Sequence, residues 1–305
     1  MLNPKLDYVF KRIFGHKGNE DITRNFVSSI LSQNIKSVKL NNSTILEKDL
    51  VNDKVGILDI KAILNNDSIC DIEIQIVDNH NIVPRLLFYW SKLYSGEISS
   101  GDNYSKLKNC IVILIADYNL KETCDISKCL TTWQLREKDF PQFQLTNAIQ
   151  FCIIEMPKYL TCKDSLCNPA LDSWLKFIQN PSEVVDVSNK EIQKAKKVLE
   201  DISKDKREIY LAELREKYIR DQKSIQEYGY EQGLEAGKKL GEKHGLKAGE
   251  ERGLKIGEER GIKKGTLDTQ LQIIKNMLLE NIDIQVIGKI TGISVEEIQK
   301  IKNNL

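Results

Sequence analysis

Ten glycines stand at positions 229, 233, 237, 241, 245, 249, 253, 257, 261 and 265, every fourth residue without interruption. A glycine inside a helix costs about 0.5–1 kcal/mol relative to alanine, and exposed i,i+4 charge pairs restore only a few tenths of that each. The segment is therefore either a flexible linker or a helix that needs a close partner. We expect a helical spacer with a tendency to self-associate. Sixteen of residues 229–265 are Asp, Glu, Lys or Arg, which rules out the membrane setting in which GxxxG ridges are best known. A repeat of four exceeds the 3.6 residues of a helical turn, so the ridge drifts by about 40° per step. A partner meets such a ridge over a short crossing and not along a full seam. Within it, Gly245–Arg252 and Gly253–Arg260 form a tandem repeat.

The repeat divides a chain of 305 residues with 45 basic and 44 acidic side chains. Residues 1–180 hold 21 of each, so neither half has the basic excess of an obvious nucleic-acid footprint. The N-terminus has no apolar h-region, and the longest apolar runs fall well short of the ~20 residues of a membrane span. Seven cysteines, an odd number, fit a reducing compartment, so a cytoplasmic location is expected. Cys124-x4-Cys129 and Cys162-x4-Cys167 have a spacing that zinc sites use. With only three scattered histidines, ordinary thiols are the better reading.

Three parts are expected: a mixed α/β core over 1–180, a helical arm over 190–265, and a small helical unit over 266–305. In the core, Asn3-Pro4 before Leu6, Val9, Phe10 and Ile13 reads as a helix start. Further helices are expected over about 21–31 and 82–97. Strands are expected at 57–64, 68–76, 110–116, 129–135 and 149–155, the run Cys110–Ala116 being a buried central strand. In the last part, Leu271, Ile274, Met277 and Leu278 share a face, Thr291-Gly292 is a turn and Ser294 caps a final helix. This reads either as a helix-turn-helix or as a helical hairpin used for packing. The acidic Glu296-Glu297 on the last helix favours packing.

The hairpin at 57–76 carries the chemistry. Strand side chains alternate, so Cys70, Ile72, Ile74 and Ile76 share one face while Asp71, Glu73 and Gln75 share the other. A three-residue loop, Asn65-Asn66-Asp67, pairs Leu64 with Ser68. That register sets Lys61 across from Asp71 and Asp59 across from Glu73. Directly opposed carboxylates are destabilising unless something compensates. A hard divalent cation does so, because Mg²⁺ is typically held by one or two carboxylates plus phosphate oxygens. Solvation of both acids, or neutralisation by Lys61, is the alternative.

These residues resemble the PD-(D/E)XK nuclease superfamily, and more closely the Rpn family of recombination-promoting, transposase-like nucleases. Four motifs occur in order over roughly residues 5–180. They are Asp7-x-x-Phe10-Lys11-x-x-Phe14, Asp59, Glu73-x-Gln75, and the Arg85…Tyr89…Tyr94…Gly101…Tyr104…Leu107 run before the apolar strand. The resemblance implies a restriction-endonuclease-like core that cleaves DNA phosphodiester bonds with Mg²⁺, for which Mn²⁺ can substitute. Asp59 and Glu73 would hold the metal. Gln75 would stand where much of the superfamily has lysine, and an amide can only orient by hydrogen bonds. Asp7 would be a third acid and Lys11 a substitute cation, the alternative for this i,i+4 pair being an exposed ion pair. Arg85, Tyr89 and Lys92 share a helix face and would contact the DNA backbone, although Tyr89 beside Phe88 and Trp90 could instead be core. Two other classes compete: a non-catalytic DNA-binding or regulatory protein that keeps this fold, and an assembly protein that acts through its C-terminal helices.

Overall fold

The structure is a computed structural model that describes residues 1–41, 60–78, 80–161, 168–184 and 188–304. Its centre is a six-stranded mixed sheet of β1 (Val38–Asn41), β2 (Ile60–Leu64), β3 (Ser68–Gln75), β4 (Asn109–Ala116), β5 (Leu130–Gln134) and β6 (Ile149–Glu155). The strand order is β1-β2-β3-β4-β6-β5. The β1/β2, β2/β3 and β5/β6 pairs are antiparallel, while β3/β4 and β4/β6 are parallel. Parallel strands need covering on both faces. The three central strands accordingly carry mostly apolar residues on both sides, with one polar row on β3 and Glu155 at the end of β6 as buried exceptions.

The hairpin register is the expected one, with Leu64 opposite Ser68, Lys61 opposite Asp71 and Ile60 opposite Ile72. Asn65 and Asn66 take left-handed φ values of 52° and 65°, which asparagine tolerates better than most residues. The Asn65 side chain also ties the turn down, accepting from the Lys36 and Ser37 amides at 2.8 and 3.2 Å.

One face of the sheet presents Ala62, Cys70, Ile72, Ile74, Ile113, Ile115, Cys152 and Ile154 to the main core. Helices α1 (Asp7–Phe14), α2 (Glu20–Leu31), α5 (Pro169–Gln179) and α6 (Lys190–Ile202) cover it. Phe10, Phe14, Phe26 and Trp174 interlock there at ring separations of 4.4–6.2 Å. The other face, Val112, Leu114, Ala116 and Ile153, packs under Ile82 and Leu86 of α3 (Ile82–Ser95). A short helix, α4 (Met156–Thr161), continues directly from β6.

The first helix starts later than the sequence suggested. Asn3 and Pro4 form a turn in which the Asn3 Oδ1 accepts from the Lys5 amide at 3.0 Å, and α1 begins at Asp7. The short asparagine side chain satisfies its local backbone in a turn as readily as at a cap. Phe88 is 53% exposed, because α3 turns Ile82 and Leu86, with Val83, Trp90 and Leu93 beside them, toward the sheet.

The compact unit that contains the sheet runs from Met1 to Gln226. It includes Ile192, Ala195, Leu199 and Ile202 of α6, and Leu211 and Ala212 at the start of α7 (Lys206–Leu279), all buried in the main core. The core therefore draws on residues well past 180. A second unit comprises Glu227–Leu305. Its glycine segment is helical throughout, since α7 is a single helix of 74 residues. Its small core consists of Ile274, Ile287 and Ile298, on α7, α8 (Ile284–Thr291) and α9 (Val295–Lys302). Ser294 caps α9 through a hydrogen bond from the Glu297 amide at 3.3 Å, as its sequence indicated. Gly292, at φ 72°, ends α8 in the left-handed conformation that suits glycine. Leu271, expected on the apolar face with Ile274, Met277 and Leu278, is 40% exposed, while Ile274 is buried and Met277 and Leu278 pack against it.

Candidate active site

The acidic row on β3 lies on the α3 side of the sheet. In the parallel register Asp71 pairs with Val112, Glu73 with Leu114 and Gln75 with Ala116, so the row runs beside the apolar strip that α3 covers. Asp71 is fully buried and Glu73 is 2% exposed. Burying a carboxylate is costly unless a cation or hydrogen bonds accompany it. One cation is Arg85, on the first turn of α3, whose Nε lies 3.8 Å from the Glu73 Oε2. That distance is within ion-pair range but too long for a hydrogen bond. The Arg85 guanidinium also sits over the Tyr89 ring at 5.2 Å, a cation–π arrangement. Tyr118 stands close by. Burial raises its phenol well above the ordinary value, the Asp78 and Glu73 carboxylates add to the rise, and Arg85 opposes it.

The start of α1 approaches the C-terminal end of β3. The Asp117 amide donates to the Gln75 carbonyl at 2.9 Å, and the Asp117 carboxylate receives Lys5 Nζ at 2.9 and 3.0 Å. Two residues on, the Asp7 carboxylate accepts from the Tyr8 amide at 2.8 Å and from Arg215 Nε at 2.9 Å through both oxygens. Lys11, four residues later, is 7% exposed. Asp7 and Lys11 are thus not an exposed surface pair. Glu208 of α7 accepts from the Tyr8 hydroxyl at 2.6 Å and from Arg12 at 2.7 and 3.0 Å.

Of the residues singled out in the sequence, Glu73, Gln75 and Arg85 come together on the α3 side of β3. Tyr89 is half-buried and Lys92 is exposed, stacked over the Phe88 ring at 4.6 Å. Asp59 lies outside the described residues, as do Cys162 and Cys167. Cys124 is exposed while Cys129 is buried. Among the described residues no group of three His, Cys, Asp or Glu side chains could hold a metal ion. The donors that are present, two neighbouring same-face carboxylates and an amide, are the hard oxygen type that Mg²⁺ prefers, and one or two carboxylates are its usual share of protein ligands. The donor set fits such an ion.

Two residues escaped the sequence reading. Asp71 is paired with Lys61 and set on the Glu73 face by the sequence reading but not counted among the site residues, although that shared parity is the signal that it faces the same site. Lys61 is exposed whereas Asp71 is buried. Arg215 carries no local signal, because its partner is 208 residues away in sequence.

A family model described as PD-(D/E)XK nuclease family transposase matches residues 4–229. The chain belongs to this family. The matched segment ends three residues beyond the compact unit that closes at Gln226, so the PD-(D/E)XK nuclease portion includes α6 and the first turns of α7. Neither the comparison with curated proteins nor that with solved structures gave a match. Among the described residues no helix is long and apolar enough to cross a membrane.

Proposed function

We propose that this PD-(D/E)XK family member is a divalent-metal-dependent DNA endonuclease that hydrolyses phosphodiester bonds in recombination or mobile-DNA processes. The observation that carries this reading is the buried Asp71–Glu73 pair beside Arg85, with half-buried Gln75 next on the same face of β3, in the hairpin register from which Asp59 was paired with Glu73. Glu73 and Asp59 would hold Mg²⁺, or Mn²⁺ in its place, with Asp71 adding negative charge. When bound, such an ion polarises a phosphoryl oxygen and acidifies a water molecule. Gln75 orients by its amide, Lys11 supplies the buried positive charge that a lysine on β3 would otherwise give, and Asp7 is the third acid. Arg85, Tyr89 and Lys92 on α3 are suited to backbone phosphates, since guanidinium and ammonium groups supply most positioning contacts to DNA. The glycine arm would bring copies together, with Leu246, Leu254 and Ile262 exposed at intervals of eight residues along it. The acidic α9 suits packing better than base reading.

Plasmid nicking tests the reading. With Mg²⁺ the native chain should nick supercoiled DNA, while Glu73→Gln and Asp59→Asn should lose at least about a hundredfold, in line with removal of groups that act on the transition state. Nicking by both variants at the native rate would overturn it. The departure at Gln75 favours one second reading, a DNA-binding protein that no longer cuts. That reading predicts DNA retardation in EDTA and no nicking with any divalent ion.

A further inference from the structure

Helix α3 carries four aromatic residues, two cations and no acid. Packing accounts for Trp90 and Tyr94, whose rings stack at 5.2 Å while the Trp90 indole donates to the Ala148 carbonyl at 3.0 Å. Packing does not account for Phe88, which keeps 53% of its surface in solvent. Its neighbours set it apart from a stray surface phenylalanine. With 3.6 residues per turn, Phe88, Lys92, Arg85 and Tyr89 fall within one arc of about 100° on the helix. Val83 and Leu87, which line an apolar cavity with Trp133 and Phe151, lie on the opposite flank. Contacts join the four side chains in a line that starts at the buried acid. Arg85 Nε is 3.8 Å from Glu73 Oε2, and the Arg85 guanidinium lies over Tyr89 at 5.2 Å. The Tyr89 ring is 5.9 Å from the Phe88 ring, and Lys92 Nζ lies over Phe88 at 4.6 Å. Two aromatic rings thus stand between two cations. From Arg85 to Lys92 the line advances about 10 Å along the helix, the length of about three stacked nucleotide steps of ~3.4 Å.

Cations that track phosphates, combined with rings on which bases stack, are the means by which proteins hold a single strand of nucleic acid. In a duplex each base face is covered by its neighbours, so a protein ring gains a base face only where a base has left the stack. Phosphate contacts alone carry no such preference. We infer that this flank of α3 is a track for single-stranded DNA: Phe88 stacks on an unpaired base, Lys92 and Arg85 take the flanking phosphates, and the strand is led toward Glu73. The track rests on the proposed nuclease function and names its substrate class as DNA with unpaired bases. Phe88 sets that preference and takes no part in the chemistry.

The test uses the full-length chain with the variants Phe88→Leu, Phe88→Trp, Lys92→Gln and Trp133→Leu. Binding is read in EDTA by fluorescence anisotropy, with a labelled single strand of about 20 nucleotides, longer than one such site, and with the same sequence as duplex. The native chain should hold the single strand about tenfold more tightly than the duplex. Phe88→Leu keeps an apolar side chain but loses the ring, and its melting temperature reports that the fold persists. We expect it to weaken single-strand binding about tenfold, within the range of about fivefold to a hundredfold that one stacked base contributes, and to change duplex binding less than twofold. Phe88→Trp should retain single-strand binding. Lys92→Gln should weaken both DNAs alike and lower the salt slope by about one. Trp133→Leu, which removes an exposed ring on the opposite flank, should bind both DNAs as the native chain does. Native single-strand binding in Phe88→Leu, an equal loss on both DNAs, or the same loss in Trp133→Leu would overturn the inference. A second readout is cleavage with Mg²⁺ of circular DNA carrying an unpaired loop and of its fully paired counterpart. If the native chain cuts neither with any divalent ion, the endonuclease reading falls and anisotropy alone decides the track. If it cuts both, and Phe88→Leu cuts the looped circle with native kcat/KM, the track falls and the endonuclease reading stands.

Discussion

Carboxylates in the interior of this sheet are held in two different ways. Glu155, at the end of β6, is fully buried and satisfied. Its oxygens accept from the Leu120 amide, the Thr123 hydroxyl and Lys158 Nζ, each at 2.7 Å. Lys158 Nζ also donates to the Thr123 carbonyl at 2.6 Å. The network pins the segment that follows β4 to the start of α4, and its closed geometry suits structure more than chemistry. Removing one partner strands the other charge in the interior, so Glu155→Ala should destabilise the first unit by about 3–5 kcal/mol, read as a lower urea midpoint at unchanged slope. Glu73 instead faces the Arg85 guanidinium across the α3 side of the sheet at 3.8 Å. Glu73 was legible in the sequence because alternation and the hairpin register both pointed to it. Asp71 has the same parity, but only its burial shows that it belongs beside Glu73. Arg215 could not be read at all, since a guanidinium–carboxylate pair formed across 208 residues leaves no periodic trace.

The glycine arm was ambiguous as an element. Propensity argued against an isolated helix, yet α7 runs unbroken through all ten glycines. A Cβ added at any of them meets no atom within 4 Å. Replacing Gly245, Gly249, Gly253 and Gly257 with alanine should therefore stabilise the helix by about 0.5–1 kcal/mol per site, seen as greater ellipticity at 222 nm and a higher melting temperature. If the glycines let copies approach closely, the same variant should self-associate more weakly in sedimentation, and the two readouts together separate spacer from interface. Local signals served best where capping and turn chemistry are short-range. Ser294, Gly292 and the Asn65-Asn66 turn all behave as their sequence indicated. The Asn3-Pro4 start failed because a turn satisfies the same groups as a helix cap.

At the scale of the molecule, the nuclease core does not end where its strands do. Ile192, Ala195, Leu199, Ile202, Leu211 and Ala212 are buried with the sheet, and leucine- or isoleucine-sized deletions in a core cost about 2–5 kcal/mol each. A chain ending at Gln226 should keep the native thermal transition of the first unit and behave as a monomer in sedimentation. A chain ending at Asn180 should fail to give a cooperative transition. Most of the strand order in sequence, the hairpin register, the acidic row on β3 and the family resemblance were determined by the sequence itself, because alternation, turn residues and short motifs act over a few positions. Only the tertiary structure decided that Asp71 is buried beside Glu73 under α3, that Arg215 on α7 holds Asp7, and that the core closes at Gln226. Each depends on which surfaces meet after the chain has folded back over long separations, and side-chain charge or hydrophobicity alone does not say which of many compatible partners will be adjacent.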